Sequence, residues 1–247
     1  MPRKLFITVI IVLNSILQQP VDGGFTEGAA CSNRNTAYLN PSKALFPSDP
    51  VKCVDITGMG KSLIFYKQWP IGQADTLYAD HMHLTSFNRT IFTFMPNLEM
   101  VDLTGNKIKR LPIAMSSVIP KLTTLLLAKN RIQIPKKKPL MRCFTIKTLM
   151  LSHNKIRALQ TMTFAKTPSL RVLYLDSNYL KYITPKMFSH LTNLKYLHLG
   201  NNLLKRVPSK AYMPKSLSIY IVKGNKLERK RNAARPKRNT AVSLKIS

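Results

Sequence analysis

Eight cationic side chains recur at one interval along the chain. Lys107, Arg131 and Lys155 lie 24 residues apart, and Lys109, Arg157, Lys181 and Lys205 follow at 48, 24 and 24 residues on a parallel row, with Arg206 beside it. If successive intervals stack at the usual strand separation of about 5 Å, these groups form a cationic edge suited to a linear polyanion. A second set shares the interval: Tyr78, Asp102, Met150, Tyr174 and His198 in one row, Met100 and Tyr196 in another. A face rich in Tyr, Met and aliphatic groups suits a protein interface, where a few large side chains carry most of the energy. Met150, Tyr174 and Tyr196, nearest its centre, are the expected anchors.

Reactive chemistry has less support. Gly60-Lys61-Ser62 matches the end of a phosphate loop, but GxxxxGK[ST] needs glycine at position 55, where Asp55 stands. His81 and His83 have no third ligand nearby in the sequence, so no metal is expected. Neither G-x-S-x-G nor H-E-x-x-H occurs. The expected protein is non-enzymatic and needs no cofactor. Its 39 Lys and Arg against 10 Asp and Glu give a net charge of +29, which must find anions outside the chain: sulfated glycan, lipid, nucleic acid or acidic protein. A hydrophobic fraction of 45% is enough for a sizeable core.

These rows need an element that repeats with them. Asn occupies positions 106, 130, 154, 178, 202 and 225, at intervals of 24, 24, 24, 24 and 23. Each closes one frame, LxxLxLxxNxL, as in Leu122, Leu125, Leu127, Asn130, Ile132 or Leu170, Leu173, Leu175, Asn178, Leu180. A degenerate copy with Leu77, Ala79 and Leu84 precedes them, Met82 standing where Asn would be. Each LxL is a short strand with its leucines inward, and the Asn amide can satisfy backbone groups where the chain leaves the strand. One copy cannot bury its own face, so the copies must stack, each adding a strand to a parallel sheet. Ten residues past the Asn position, Phe92, Ser116, Leu140, Phe164, Phe188 and Tyr212 predict a second internal row on the convex side. Cys143 falls in a further core row, as a small buried hydrophobe.

The frame resembles the leucine-rich repeat family over roughly residues 74 to 228. That resemblance implies an α/β-type repeat solenoid, a horseshoe with a parallel concave β-sheet and an irregular or short helical convex side. About seven repeats would span 74–228. Residues 24–73 would form the N-terminal cap that extracellular members carry, and the resemblance implies a Cys31–Cys53 disulfide there. Many such members close with a cysteine-rich C-terminal cap, whereas residues 229–247 form a basic tail predicted to be flexible. Either the last coil stays uncapped and able to pair with another chain, or a segment missing downstream once capped it.

Arg3, Lys4 and the apolar run from Leu5 to Leu17 predict a secretory signal peptide over residues 1–23, with Gly23 and Gly24 near its cleavage region. No later run is long enough to cross a bilayer, so the mature protein is expected to be extracellular. Asn88-Arg89-Thr90 is an N-glycosylation sequon. This architecture resembles the short secreted leucine-rich immune proteins of mosquitoes and other insects. The expectation is recognition of an extracellular protein ligand on the concave face, in innate immunity, with the basic edge drawn to anionic glycan or microbial surfaces. A matrix or adhesion protein that grips sulfated polysaccharide through the ladder is the alternative. A chain of pI near 10.4 also attracts nucleic acid, but with a secretory start and no reading module no specific nucleic acid is expected.

Overall fold

The structure, a computed structural model, describes residues 36–38, 51–57, 71–87 and 92–228. Among the described residues nine three-residue strands follow one another: β1 (Thr36–Tyr38), β2 (Cys53–Asp55), β3 (Thr76–Tyr78), β4 (Met100–Asp102), β5 (Thr124–Leu126), β6 (Thr148–Met150), β7 (Val172–Tyr174), β8 (Tyr196–His198) and β9 (Ile219–Ile221). They form a single parallel sheet in chain order, the stacked solenoid expected from the repeat. The strands are short because only the LxL segment alternates in and out. Its flanks turn away into the convex side, where the described residues include a four-residue helix, α1 (Met115–Val118), and the 3₁₀ turns Pro185–Phe188 and Lys210–Tyr212.

The frame leucines build the core. Leu77, Val101, Leu125, Leu149, Leu173 and Leu197, the central residues of β3 to β8, are all fully buried, and Leu103, Leu127, Leu151, Leu175 and Leu199 run beside them. Above them the Asn side chains do more than end a strand. Asn154 Nδ2 donates to the carbonyls of Leu151 and Ser152 in its own coil and of Leu127 in the coil before, while its Oδ1 accepts from Ile132 N–H. Asn106, Asn130, Asn178 and Asn202 repeat this set, so the amides bolt neighbouring coils together where no strand pairing remains.

The convex row forms with two substitutions. Phe92, Leu140, Phe164 and Phe188 are buried, with Phe164 and Phe188 stacked at a centroid distance of 6.4 Å. Tyr212 does not join them: it is 74% exposed, and Met213 is buried in its place. The last interval is one residue shorter than the others, and the 3₁₀ turn capped by Ser209 rotates Tyr212 outward. At the other exception Ser116 is half-buried and its neighbour Met115 fills the core from α1. In both places an unbranched thioether fits the irregular gap. Cys143 is buried and free, its Sγ 3.8 Å from the Leu122 carbonyl.

The sheet also runs further toward the N-terminus than the repeat frame. Val54 and Ile56 of the β2 coil are buried as an LxL pair, together with Val51 and Ile71, and β1 pairs beyond them. The expected signal peptide, most of the cap, Cys31, Asn88 and the tail from residue 229 lie outside the described residues. No helix among the described residues is long and apolar enough to cross a membrane.

Candidate functional site

Strict register sets the concave face. Tyr78 pairs with Asp102, Asp102 with Leu126, Leu126 with Met150, Met150 with Tyr174, Tyr174 with His198 and His198 with Ile221, so the first expected row is one continuous line of side chains. Thr76, Met100, Thr124, Thr148, Val172, Tyr196 and Ile219 form the second in the same way. Parallel strands place equivalent residues one strand apart, close enough for rings on β7 and β8 to meet.

They do meet. The Tyr174 and Tyr196 rings lie 4.9 Å apart with planes tilted by 40°, and His198 stands edge-on to Tyr174 at 5.9 Å and to Tyr196 at 6.4 Å. Offset and edge-to-face pairs at these distances are the favourable ones, so the three rings hold one another in place. Burial, and then the neighbouring Tyr174 hydroxyl, push the Tyr196 phenol above its ordinary range. Behind the rings His198 Nδ1 lies 3.2 Å from Asp176 Oδ1, and that oxygen also accepts from Ser152 Oγ at 2.6 Å. Asp176 therefore fixes the imidazole orientation from below. Gly200 leaves room for this, since a Cβ there would lie 2.9 Å from His198 Nε2. The result is a rigid aromatic platform on β7 and β8, continued by Met150 on β6.

The other end of the face differs in character. Asp55 lines up with Tyr78 and Asp102, and Asp80 stands beside them, bonded by the Thr57 hydroxyl and paired with His81 at 2.8 Å. Burial raises the Asp102 carboxyl above the usual carboxylate value, against hydrogen bonds from Thr104 that lower it, and the Asp80 charge adds to the rise. Among the described residues no three His, Cys, Asp or Glu side chains gather to hold a metal. Asp176, Ser152, Asp55 and Asp80 were not among the residues expected from sequence. The signal for three of them was the position two before the Asn, where Asp80, Ser152 and Asp176 recur.

The cationic residues sit where the chain leaves the sheet. Backbone bonds keep this edge in register past the strands, as Arg131 N–H donates to Ile108 O and Gln133 N–H to Lys109 O. Lys109, Arg131, Lys155, Arg157, Lys181, Lys205 and Arg206 are exposed and Lys107 is half-buried. Glu228 pairs with Lys205 at 3.4 Å and with Arg206 at 3.6 Å, and among the described residues the other six have no carboxylate partner. Two tyrosines that sequence reasoning passed over, Tyr179 at 49% and Tyr182 at 56% exposure, stand in the same edge around Lys181. They occupy the first and fourth places after Asn178, positions taken by Lys107 and Arg110 after Asn106.

Residues 74–132 and 144–204 match the leucine rich repeat family model. Together with the solenoid geometry, this gives the chain a leucine-rich repeat fold over those residues. A leucine-rich repeat protein of Leptospira interrogans is similar in structure, with a TM-score of 0.60 and 25% identity over 72% of this chain and 44% of that one. The TLR13–ssRNA13 complex is similar in fold at 24% identity and a TM-score of 0.54, over 73% of this chain and 29% of that one. The chain thus spans less than half the length of either structure. No curated protein matches it.

Proposed function

We propose that this leucine-rich repeat protein is a secreted recognition protein that binds a protein ligand on its concave face, in innate immunity. The observation that carries the reading is the platform of Tyr174, Tyr196 and His198, preorganised by ring contacts and by Asp176. Rigid aromatic side chains lose little entropy on binding and are typical interface anchors. Leucine-rich repeat solenoids are typically non-enzymatic, and the repeat itself suggests protein recognition. Met100 and Met150 extend the apolar contact, while Tyr78 and Asp102 supply a more polar rim. Secretion rests on the basic and apolar start of the chain, and the immune setting on the architectural resemblance to short insect immune proteins. A Cys31–Cys53 bridge and a glycan at Asn88 belong to the same reading. Cys53 is buried and engaged in an interaction, and Cys143 is the free thiol among the described residues.

The experiment is affinity measurement of a protein partner recovered from extracellular fluid, comparing wild type with Tyr174→Ala. Loss of more than about 1 kcal/mol, with the fold intact, supports the concave site. Unchanged affinity refutes it.

A second reading, a matrix or adhesion protein holding sulfated polysaccharide, has its own observation: six exposed or half-exposed cations without carboxylate partners on one edge, with two exposed tyrosines among them. Replacing Lys107, Arg131, Lys155 and Arg157 by Ser should then abolish retention on heparin-agarose, a contact that weakens as salt rises. Retention that survived the four changes would exclude the ladder.

A further inference from the structure

The convex row breaks at its last place, and the break leaves a cleft. Phe164 and Phe188 stack, but the interval from Asn202 to Asn225 is one residue short, Tyr212 turns outward and Met213 takes its core position. Between the 3₁₀ turn Pro185–Phe188 and the chain around Tyr212 lies an open cleft of about 430 Å³, a size typical of small-ligand sites. Pro185, Met213 and Pro214 give it an apolar lining, to which the 74% exposed Tyr212 ring adds. Lys186 and Lys215 line it too, and both are exposed. No carboxylate balances them: between residues 103 and 228 the acidic side chains are Asp176, paired with His198, and Glu228, paired with Lys205 and Arg206.

Two hydroxyls in the cleft decide what else the ligand must carry. Ser189 Oγ donates to Lys186 O at 3.0 Å and Ser216 Oγ to Leu194 O at 2.8 Å, so both have committed their hydrogens and offer lone pairs. A bare sulfate ion would suit the lysines but bring no hydrogen to these oxygens. We propose that the cleft binds an acidic sugar, a pyranose unit carrying a carboxylate or sulfate group. Its hydroxyls donate to Ser189 and Ser216, its anionic group meets the Lys186 and Lys215 ammonium groups, and its face of C–H bonds lies against the Tyr212 ring. The site shares no residue with the concave platform or the cationic edge, and it stands or falls apart from both readings above.

An NMR titration of the full-length protein, labelled at methionine methyls and tyrosine rings, tests this with methyl glucuronide, a sulfated methyl glucoside and neutral methyl glucoside. The expected result is a saturable shift of the Met213 methyl and the Tyr212 ring with at least one acidic sugar, the neutral glucoside binding more than about tenfold more weakly. Tyr212→Ala and, separately, Lys186→Ser/Lys215→Ser should each weaken the acidic sugar by more than about fivefold. All three side chains are exposed, so unchanged urea unfolding should show that both variants keep the fold. The Lys107→Ser/Arg131→Ser/Lys155→Ser/Arg157→Ser variant should bind the sugar as wild type does. The absence of a saturable Met213 shift with either acidic sugar would overturn the proposal. So would equal affinity for the neutral glucoside, or binding that is lost with the four edge cations and survives the changes in the cleft.

Discussion

Replacing Asn154 by Ala isolates what the asparagine row contributes. The side chain is buried and makes four bonds. Three are donated to carbonyls that keep another donor: Leu127 O retains Asn130 Nδ2, Leu151 O retains Asn178 Nδ2, and Ser152 O retains Lys129 N–H. The fourth partner, Ile132 N–H, has Asn154 Oδ1 alone. The substitution therefore orphans one buried backbone donor, at about 1–3 kcal/mol, and removes three further bonds whose carbonyls remain partly satisfied. A total near 3 kcal/mol is the working expectation. Asn225→Ala is the control, because Asn225 and the Leu204 N–H bond it accepts are only part-buried and water can replace the lost contacts; about 1 kcal/mol is expected there. The assay is urea unfolding with the slope checked for constancy, since a repeat array can lose cooperativity. A cost for Asn154→Ala below about 0.5 kcal/mol, or equal to that of Asn225→Ala, would refute the orphaned-donor reasoning.

Phe188→Ala should cost about 3–5 kcal/mol by emptying the convex row beside Phe164, whereas Tyr212→Ala should change urea stability by less than about 0.5 kcal/mol because the ring is in solvent. Burial raises the Tyr220 phenol from 10.0 to about 12. The neutral form is the one the fold favours, so this contribution is complete below pH 10.0 and is lost as pH rises through about 12. Tyr220→Phe should flatten the fall of stability in that window and, since the hydroxyl is buried without a partner, should not weaken the protein at pH 7. Faster alkaline loss in the variant would contradict it. Cys143 should resist a thiol reagent in the native protein and react fully in denaturant; native reaction at the unfolded rate would contradict its burial.

The fold was legible because a repeat states its own geometry: six asparagines at an interval of 24 or 23 fixed strand positions, register and the two outward rows. Two strands escaped notice where the frame is written in other residues. The β2 coil uses Val54 and Ile56 in place of leucines, so only packing against β3 marks it as a repeat. Tyr212 misled in the opposite direction: its spacing and size suited the core, but a deleted residue and a 3₁₀ turn set its direction. At the concave face the sequence placed Tyr174, Tyr196 and His198 on neighbouring coils. It did not reveal that their rings touch or that Asp176 orients the imidazole, because ring angles and hydrogen bonds depend on side-chain directions that spacing alone leaves free. Tyr179 and Tyr182 were passed over because an exposed tyrosine among lysines looks, in sequence, like any other frame position.

Recognition through the concave platform is tested most directly by one binding comparison. Wild type, the Tyr174→Ala/Tyr196→Ala double variant and the Lys107→Ser/Arg131→Ser/Lys155→Ser/Arg157→Ser variant are titrated against the same extracellular protein partner at low and high salt. The expected result is that the tyrosine variant weakens binding by more than about fivefold at both salt concentrations, while the cation variant changes mainly the low-salt association. Affinity that survives loss of both tyrosines but collapses with the four cations, or with salt alone, would contradict a concave site and move recognition to the charged edge.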